Sequence, residues 1–329
     1  MTRGLVLSML VGADALAAAT GVAQQGRGGP GGGQQAPSAA AIQAEKIRDN
    51  LYVLRGGGRI VQIGGVNVPQ AGTTAAFLTA NGVVLVDTKL PGWGKPIMDK
   101  LREITDKPVT TIINTHTHMD HVGGNVEFPA TVEVVTHENT AMLMREMRPV
   151  TGGPAQPNIF KDNDGRGLPT RTFKDRMTLG SGNERVDLYY FGRAHTGGDA
   201  WVVFPALRVL HAGDAFPGKG VPPLDANNGA SGVEYPATIA NAVGALTNID
   251  TVITGHYQTT LTMADLRTFG NFTREFVWAV QAAKRGGRTI DDFVNSWKIP
   301  ERFLKEGYAS TEHLRPIRPD VEVIWNEIK

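Results

Sequence analysis

Between His116 and His121 the chain reads His116-Thr117-His118-Met119-Asp120-His121, three histidines and one aspartate within six residues, just beyond the apolar run Val109–Ile113. Imidazoles and a carboxylate gathered at the end of a strand are donors for a cation such as zinc, which is held by such groups. In extended backbone, positions i and i+2 face the same side, so His116 and His118 can grip one ion. Where the chain then turns into a helix, Asp120 and His121 point elsewhere and can serve a second ion. Packed together without a cation, four such groups would be partly desolvated for no gain.

One cluster cannot fill two coordination shells, and further donors stand at similar points. His195 lies in Arg193-Ala194-His195-Thr196-Gly197, past an expected strand that ends at Phe191. Asp214 follows a strand through Leu210 in His211-Ala212-Gly213-Asp214, and His256 follows the strand Thr251–Thr254 in Gly255-His256-Tyr257. Each falls at the C-terminal end of a strand beside a glycine, which lets backbone approach closely. The remaining candidates read differently. His137 is expected to start a helix or pack, His211 to support a ligand or fill the sheet core, and His313 to be exposed in the tail. Asp199 either hydrogen-bonds a ligand histidine or caps a turn. Tyr257 either donates to a developing oxyanion or packs at the sheet edge.

These residues need strands and helices in alternation to position them. Leu51–Leu54, Thr74–Thr79 and Val83–Val86 are β-rich runs, and Asn81-Gly82 between the last two is a hairpin signal. A helix over Pro96–Ile104 precedes the strand Val109–Ile113; Val132–Thr136 and Glu138–Met147 repeat strand and helix. After the loop Thr151–Pro169, strands are expected at Val186–Phe191, Trp201–Phe204 and Leu207–Leu210, then a helix near Pro236–Leu246 and the strand Thr251–Thr254. From Thr262 onward the chain reads as helical, with Phe269, Phe272, Phe276 and Val280 on one stripe. Two halves of alternating strands and helices indicate a layered α/β protein.

Composition narrows the chemistry. The 329 residues carry 33 Lys+Arg against 32 Asp+Glu, a formal charge of +1, which gives no basic field for a nucleic acid backbone. No cysteine is present, so there is no disulfide framework, thiolate nucleophile or cysteine metal site. Residues 1–23 combine Arg3, the apolar run Leu5–Val11 and small residues ending at Ala23, the pattern of a secretory signal peptide. Residues 24–41, rich in Gly, Gln and Pro, read as a flexible spacer. No later run is long enough for stable membrane insertion. The catalytic domain is expected over 42–261 and a helical C-terminal extension, packed on the same domain, over 262–329.

Taken together, the His116-x-His118-x-Asp120-His121 block, His195, Gly213-Asp214 and Gly255-His256 resemble the metallo-β-lactamase superfamily over roughly Leu51 to His256. The resemblance implies an αββα sandwich, two mixed β-sheets flanked by helices, with a binuclear site at one edge. It implies that His116, His118 and His195 hold the first metal, that Asp120, His121 and His256 hold the second, and that Asp214 bridges them. Two Zn²⁺ would share a water, lower its pKa and present hydroxide to a carbonyl, with Asp120 and Tyr257 as catalytic groups beside it; iron or manganese are the alternative metals. In cysteine-ligand β-lactamases a thiolate stands where this chain has Asp214, and a bridging Asp resembles the glyoxalase II and lactonase branches instead. In the resembling family a hairpin covers the site, so Gly56–Gly72 is expected to form an apolar flap, with Thr151–Pro169 and Pro217–Gly232 as the other walls. The expectation is an exported, periplasmic or secreted zinc hydrolase of an ester, lactone or β-lactam-type cyclic amide acting on a small-molecule substrate. An iron-dependent redox enzyme and a non-catalytic metal-binding relay protein are the alternatives, and the sequence leaves the oligomeric state open.

Overall fold

The computed structural model describes residues 36–58, 60–63, 66–69, 71–309 and 316–328. The leader, most of the spacer and His313 lie outside them. The chain opens with strands β1 (Gln43–Arg48) and β2 (Leu51–Arg55), a small hairpin of β3 (Ile60–Ile63) and β4 (Val66–Pro69), and strands β5 (Thr74–Leu78) and β6 (Val83–Val86). Helix α1 (Gly94–Arg102), strand β7 (Val109–Ile113), the single turn α2 (Met119–Val122), strand β8 (Glu133–His137), helix α3 (Glu138–Glu146) and strand β9 (Arg171–Phe173) follow. Then come β10 (Arg176–Leu179), β11 (Val186–Tyr189), β12 (Trp201–Phe204), β13 (Val209–His211), α4 (Tyr235–Ala245) and β14 (Thr251–Ile253). Four helices complete the fold: α5 (Met263–Arg285), α6 (Ile290–Ser296), α7 (Glu301–Lys305) and α8 (Arg318–Glu327).

The strands form two mixed sheets. The larger has the order β1-β2-β5-β6-β7-β8-β9, antiparallel as far as β6 and parallel beyond it. The smaller runs β10-β11-β12-β13-β14, with only the last pair parallel. Side chains alternate across each strand, and this sorts the core into layers. Val84, Val86 and Ile113 face Val202, Phe204 and Ile253 between the sheets, while Val83, Leu85 and Ile112 face outward onto Ile97 and Leu101 of α1. Phe77 and Phe204 meet across the sandwich with ring centroids 5.0 Å apart. On the other side, Trp201, Val203 and Leu210 pack beneath α4, α5 and α8, whose Ile239, Phe269, Phe276 and Ile324 share the same cluster. The aromatic stripe of α5 is therefore core.

Most expected elements stand within two residues of their predicted ends. The hairpin signal at Asn81-Gly82 connects β5 to β6, with Leu78 paired to Val83 and Gly82 at φ 150°. Three strands lie where none was expected: β1, β9 and β10. Among the described residues no helix is long and apolar enough to cross a membrane.

Candidate metal centre

The expected ligands lie in the loops and turns that follow β7, β11, β13 and β14, and the two sheets bring these segments together. His116, His118, His195 and Asp214 form one buried cluster, and Asp120, His121 and His256 a second; within each, the donor atoms lie within 4.8 Å of one another. The backbone leaves the strand at Ile113 and bends through residues 115–117 instead of staying extended. Asp87 sets this bend by accepting from Thr115 N (2.8 Å) and Oγ1 (2.7 Å). His116 and His118 still reach one cluster, and the turn of α2, starting after His118, carries Asp120 and His121 to the other.

The hydrogen bonds fix which nitrogen of each imidazole is free. His118 Nε2 donates to the Asp225 carboxylate (2.7 Å), His195 Nδ1 to the Pro223 carbonyl (2.8 Å) and His121 Nδ1 to Asp87 (2.7 Å). Thr115 Oγ1, whose proton goes to Asp87, accepts from His116 Nδ1 at 3.0 Å. In the neutral form of these four rings the remaining nitrogen is therefore the one that carries the lone pair. His118 Nδ1 and His195 Nε2 lie 3.0 Å apart, and His121 Nε2 and His256 Nε2 3.3 Å apart. His116 Nε2 and Asp214 Oδ1 are buried without hydrogen-bond partners. Unpaired buried acceptors such as these are costly unless a cation sits among them, and the imidazole and carboxylate donor set of the two clusters fits two divalent ions.

One carboxylate belongs to both groups. Asp214 Oδ2 is 3.5 Å from His195 Nε2 and 3.3 Å from His256 Nε2, and its Oδ1 is 3.4 Å from His121 Nε2. Space for it is made by Gly255, where a Cβ would lie 1.7 Å from Asp214 Oδ1. Gly72 does the same for His121, whose ring would meet a Cβ there at 2.5 Å.

Protonation divides along the same line. Burial, reinforced by the neighbouring imidazoles, holds His116 well below the usual histidine range and His195 down at about 4. Burial also acts against charge on His121, but the carboxylates of Asp120, Asp214 and Asp87 outweigh it and raise that group to about 9. His256 is raised well above its ordinary value against the same burial, by Asp214 and Asp120. Asp120 falls to about 2, because His121 and His256 overcome its desolvation. His116 and His195 are thus ready to coordinate at neutral pH, whereas the outer imidazoles hold protons that a metal must displace. Asp120 and His256 are each 24% exposed, so the centre opens to solvent through the outer cluster.

The other sequence candidates settle into supporting places. Asp199 caps its own turn, accepting from Thr196 N and Oγ1 (2.8 and 2.7 Å), and bonds no ligand histidine. His137 starts α3 by accepting from Asn139 N and stacks on Tyr190 at 4.0 Å. His211 is buried in the sheet, donating to Thr73 O through Nε2 and accepting from Gly213 N. The Tyr257 ring packs on the cluster under α5, and among the described residues its hydroxyl has no hydrogen-bond partner. The expected flap is a two-stranded hairpin, Ile60 pairing with Pro69 and Ile63 with Val66. Four supports were not foreseen: Asp87, Asp225, the Pro223 carbonyl and Lys89. Buried Lys89 donates to Leu54 O (2.9 Å) and Gly72 O (2.7 Å), and Gly72 N donates to the Asp120 carbonyl at 3.0 Å.

The sequence model of the metallo-β-lactamase superfamily matches residues 69–265, more than half of the chain. The chain belongs to the metallo-β-lactamase superfamily. Among its relatives is a metallo-β-lactamase type 2 from Elizabethkingia meningoseptica, 26% identical over 232 residues, covering 68% of this chain and 81% of that protein. The 2,4-dinitroanisole O-demethylase subunit alpha of a Nocardioides species is 30% identical over 145 residues, covering 43% of this chain and 40% of that one. The solved metallo-β-lactamase of Pontibacter korlensis shares the fold at 22% identity and a TM-score of 0.54, covering 71% of this chain and 99% of its own. Family and clusters together support a metal-dependent hydrolase of the metallo-β-lactamase fold.

Proposed function

We propose that the protein is an exported, binuclear zinc-dependent hydrolase that cleaves the carbonyl bond of an ester, lactone or β-lactam-type cyclic amide. The observation that carries the reading is Asp214, one carboxylate within 3.5 Å of a histidine from each cluster. Metal ions bound there would supply a Lewis acid and an activated water. His116, His118 and His195 would hold the inner ion, Asp120, His121 and His256 the outer one, and Asp214 would touch both. Asp87, Asp225 and Pro223 keep the imidazoles in the tautomer that can coordinate. Asp120, ionised and partly exposed at the mouth, is placed to accept a proton from the attacking water and pass it to the leaving group. Export rests on the basic start, apolar run and small residues of the segment 1–23.

The test is acid release by the zinc-loaded protein against lactones, esters, thioesters, phosphoesters and β-lactams, with Asp120→Asn as control. An aryl methyl ether belongs in the same panel because the Nocardioides relative is named for demethylating one. Turnover of a lactone, ester or β-lactam that falls by about 10²–10⁴-fold in the control, with KM changed little, is the expected result. Turnover confined to the phosphoester or the ether would refute the carbonyl reading, and silence across the panel with two metals bound would favour a binding protein.

A further inference from the structure

The loop that orients the first metal's histidines is held in turn by the C-terminal helix, which lies beyond the residues the superfamily pattern covers. Leu224 N donates to Asp320 Oδ1 at 2.8 Å. The carbonyl of that same peptide group is Pro223 O, which accepts from His195 Nδ1 at 2.8 Å. Among the described residues no peptide bond is cis, so the N–H and C=O of this group point in opposite directions. One rigid peptide unit therefore stands between a buried carboxylate on α8 and a ligand imidazole. Asp225, one residue further on, accepts from His118 and donates its backbone N–H to His195 O at 3.1 Å.

We propose that Asp320 is a positioning residue for the first metal ion, acting on His195 through the Pro223–Leu224 peptide group. A carboxylate drawing on the N–H polarises the peptide and makes its carbonyl a stronger acceptor. The carbonyl then holds the Nδ1–H tautomer of His195 and raises the basicity of Nε2, the part an adjacent carboxylate plays at other metal-bound histidines. The helix is placed to do this. Ile317, Val321 and Ile324 anchor it in the core, Lys284 Nζ donates to the Trp325 and Ile328 carbonyls at its end, and it lies against Gly232, where a Cβ would meet Ile324 Cγ1 at 2.3 Å.

The inference rests on the metal reading above, and cobalt(II) titration of the metal-free full chain separates the two. Wild-type protein is expected to take up two ions; uptake of none would overturn both readings, and is seen before any variant is made. With a competing chelator, Asp320→Ala is expected to weaken the first site about 10-fold or more, the size of effect such outer partners have. Asp320→Asn, which keeps shape and acceptor but loses charge, is expected to weaken it about 3-fold by the same principle and to move the His195 Nδ1–H proton resonance upfield. Glu327→Gln weakens another tie between α8 and the segment that follows this loop, from Val233 N to Glu327 Oε2 (2.9 Å), and is expected to leave the first site within about 2-fold. Equal losses in the Ala and Gln variants would mean that α8 acts only as a prop and would overturn the relay. Should Asp320→Ala fail to fold, an unchanged affinity and resonance in Asp320→Asn would overturn it alone.

Discussion

Lys89 offers the most quantitative test of how the ground beneath the site is built. It is fully buried, and the two hydrogen bonds from its Nζ go to the carbonyls of Leu54 and Gly72. Two acceptors suit a neutral amine, which has two N–H groups; a third proton would have no acceptor among the described residues. Burial, helped by the Arg55 charge, lowers the group from 10.5 to about 7 against the pull of Asp87 and Asp120. In the unfolded chain the same lysine keeps its proton until about 10.4. Between these values the unfolded state binds more protons, so stability rises with pH through that window and is flat, as far as Lys89 is concerned, below it. A span of about 3.5 units at about 1.4 kcal/mol each amounts to about 5 kcal/mol for the whole window. Lys89→Met removes the titration and leaves two carbonyls unpaired, a cost that does not depend on pH. Urea unfolding of both proteins at pH 7, 8 and 9 should show the wild-type advantage growing by about 1.4 kcal/mol per unit, with titrations common to both cancelling. Curves that stay parallel to within about 0.5 kcal/mol would refute the reasoning, because Asp87 and Asp120 would then be holding a full ammonium charge.

Three further outcomes follow from the geometry. Gly255→Ala puts a Cβ where Asp214 Oδ1 now stands, so metal content should fall from two ions to one and turnover by about 100-fold, as measured by elemental analysis and kinetics. Metal entry into the outer cluster should release protons from His121 and His256; calorimetry in buffers of different ionisation enthalpy should detect this, and apparent affinity should drop about tenfold per unit for each proton displaced, about a hundredfold per unit where both rings are protonated. Phe77→Ala, at the centre of the sandwich, should cost about 3–5 kcal/mol of stability by chemical unfolding while leaving the metal stoichiometry at two.

The candidate ligands were legible because they crowd into the loops and turns that follow apolar strands, with three histidines and an aspartate within six residues. Asp87 obeys the same rule after Val86 and could have been found by it; only its lack of a histidine neighbour hid it. Asp225 and Asp320 carry no such mark, since their meaning comes from long-range contacts with His118 and Leu224. Lys89 reads as an ordinary surface lysine until the fold closes over it. The three unforeseen strands have a shared cause. β1 and β9 are the two edges of the larger sheet and β10 is an edge of the smaller, and edge strands carry polar and charged residues that erase the alternation. Gln43-Ala44-Glu45-Lys46 is exposed throughout, so no buried face was there to be read. The same logic explains the successes, because a central strand such as β12 buries both faces.

The order in which the donors occur along the chain sets the timetable of synthesis. His116 to His121 leave the ribosome early, His195 and Asp214 some eighty to a hundred residues later, and His256 later still. Neither cluster closes within one sheet: the first needs His195 and Asp214 from the smaller sheet, and the second needs His256 after β14. A nascent chain that has only the larger sheet can offer an ion no more than a loose fragment of a shell. Capture of metal by the two clusters would thereby be deferred to a nearly finished polypeptide, and ions held there would serve as a seal on a completed fold instead of a seed for it.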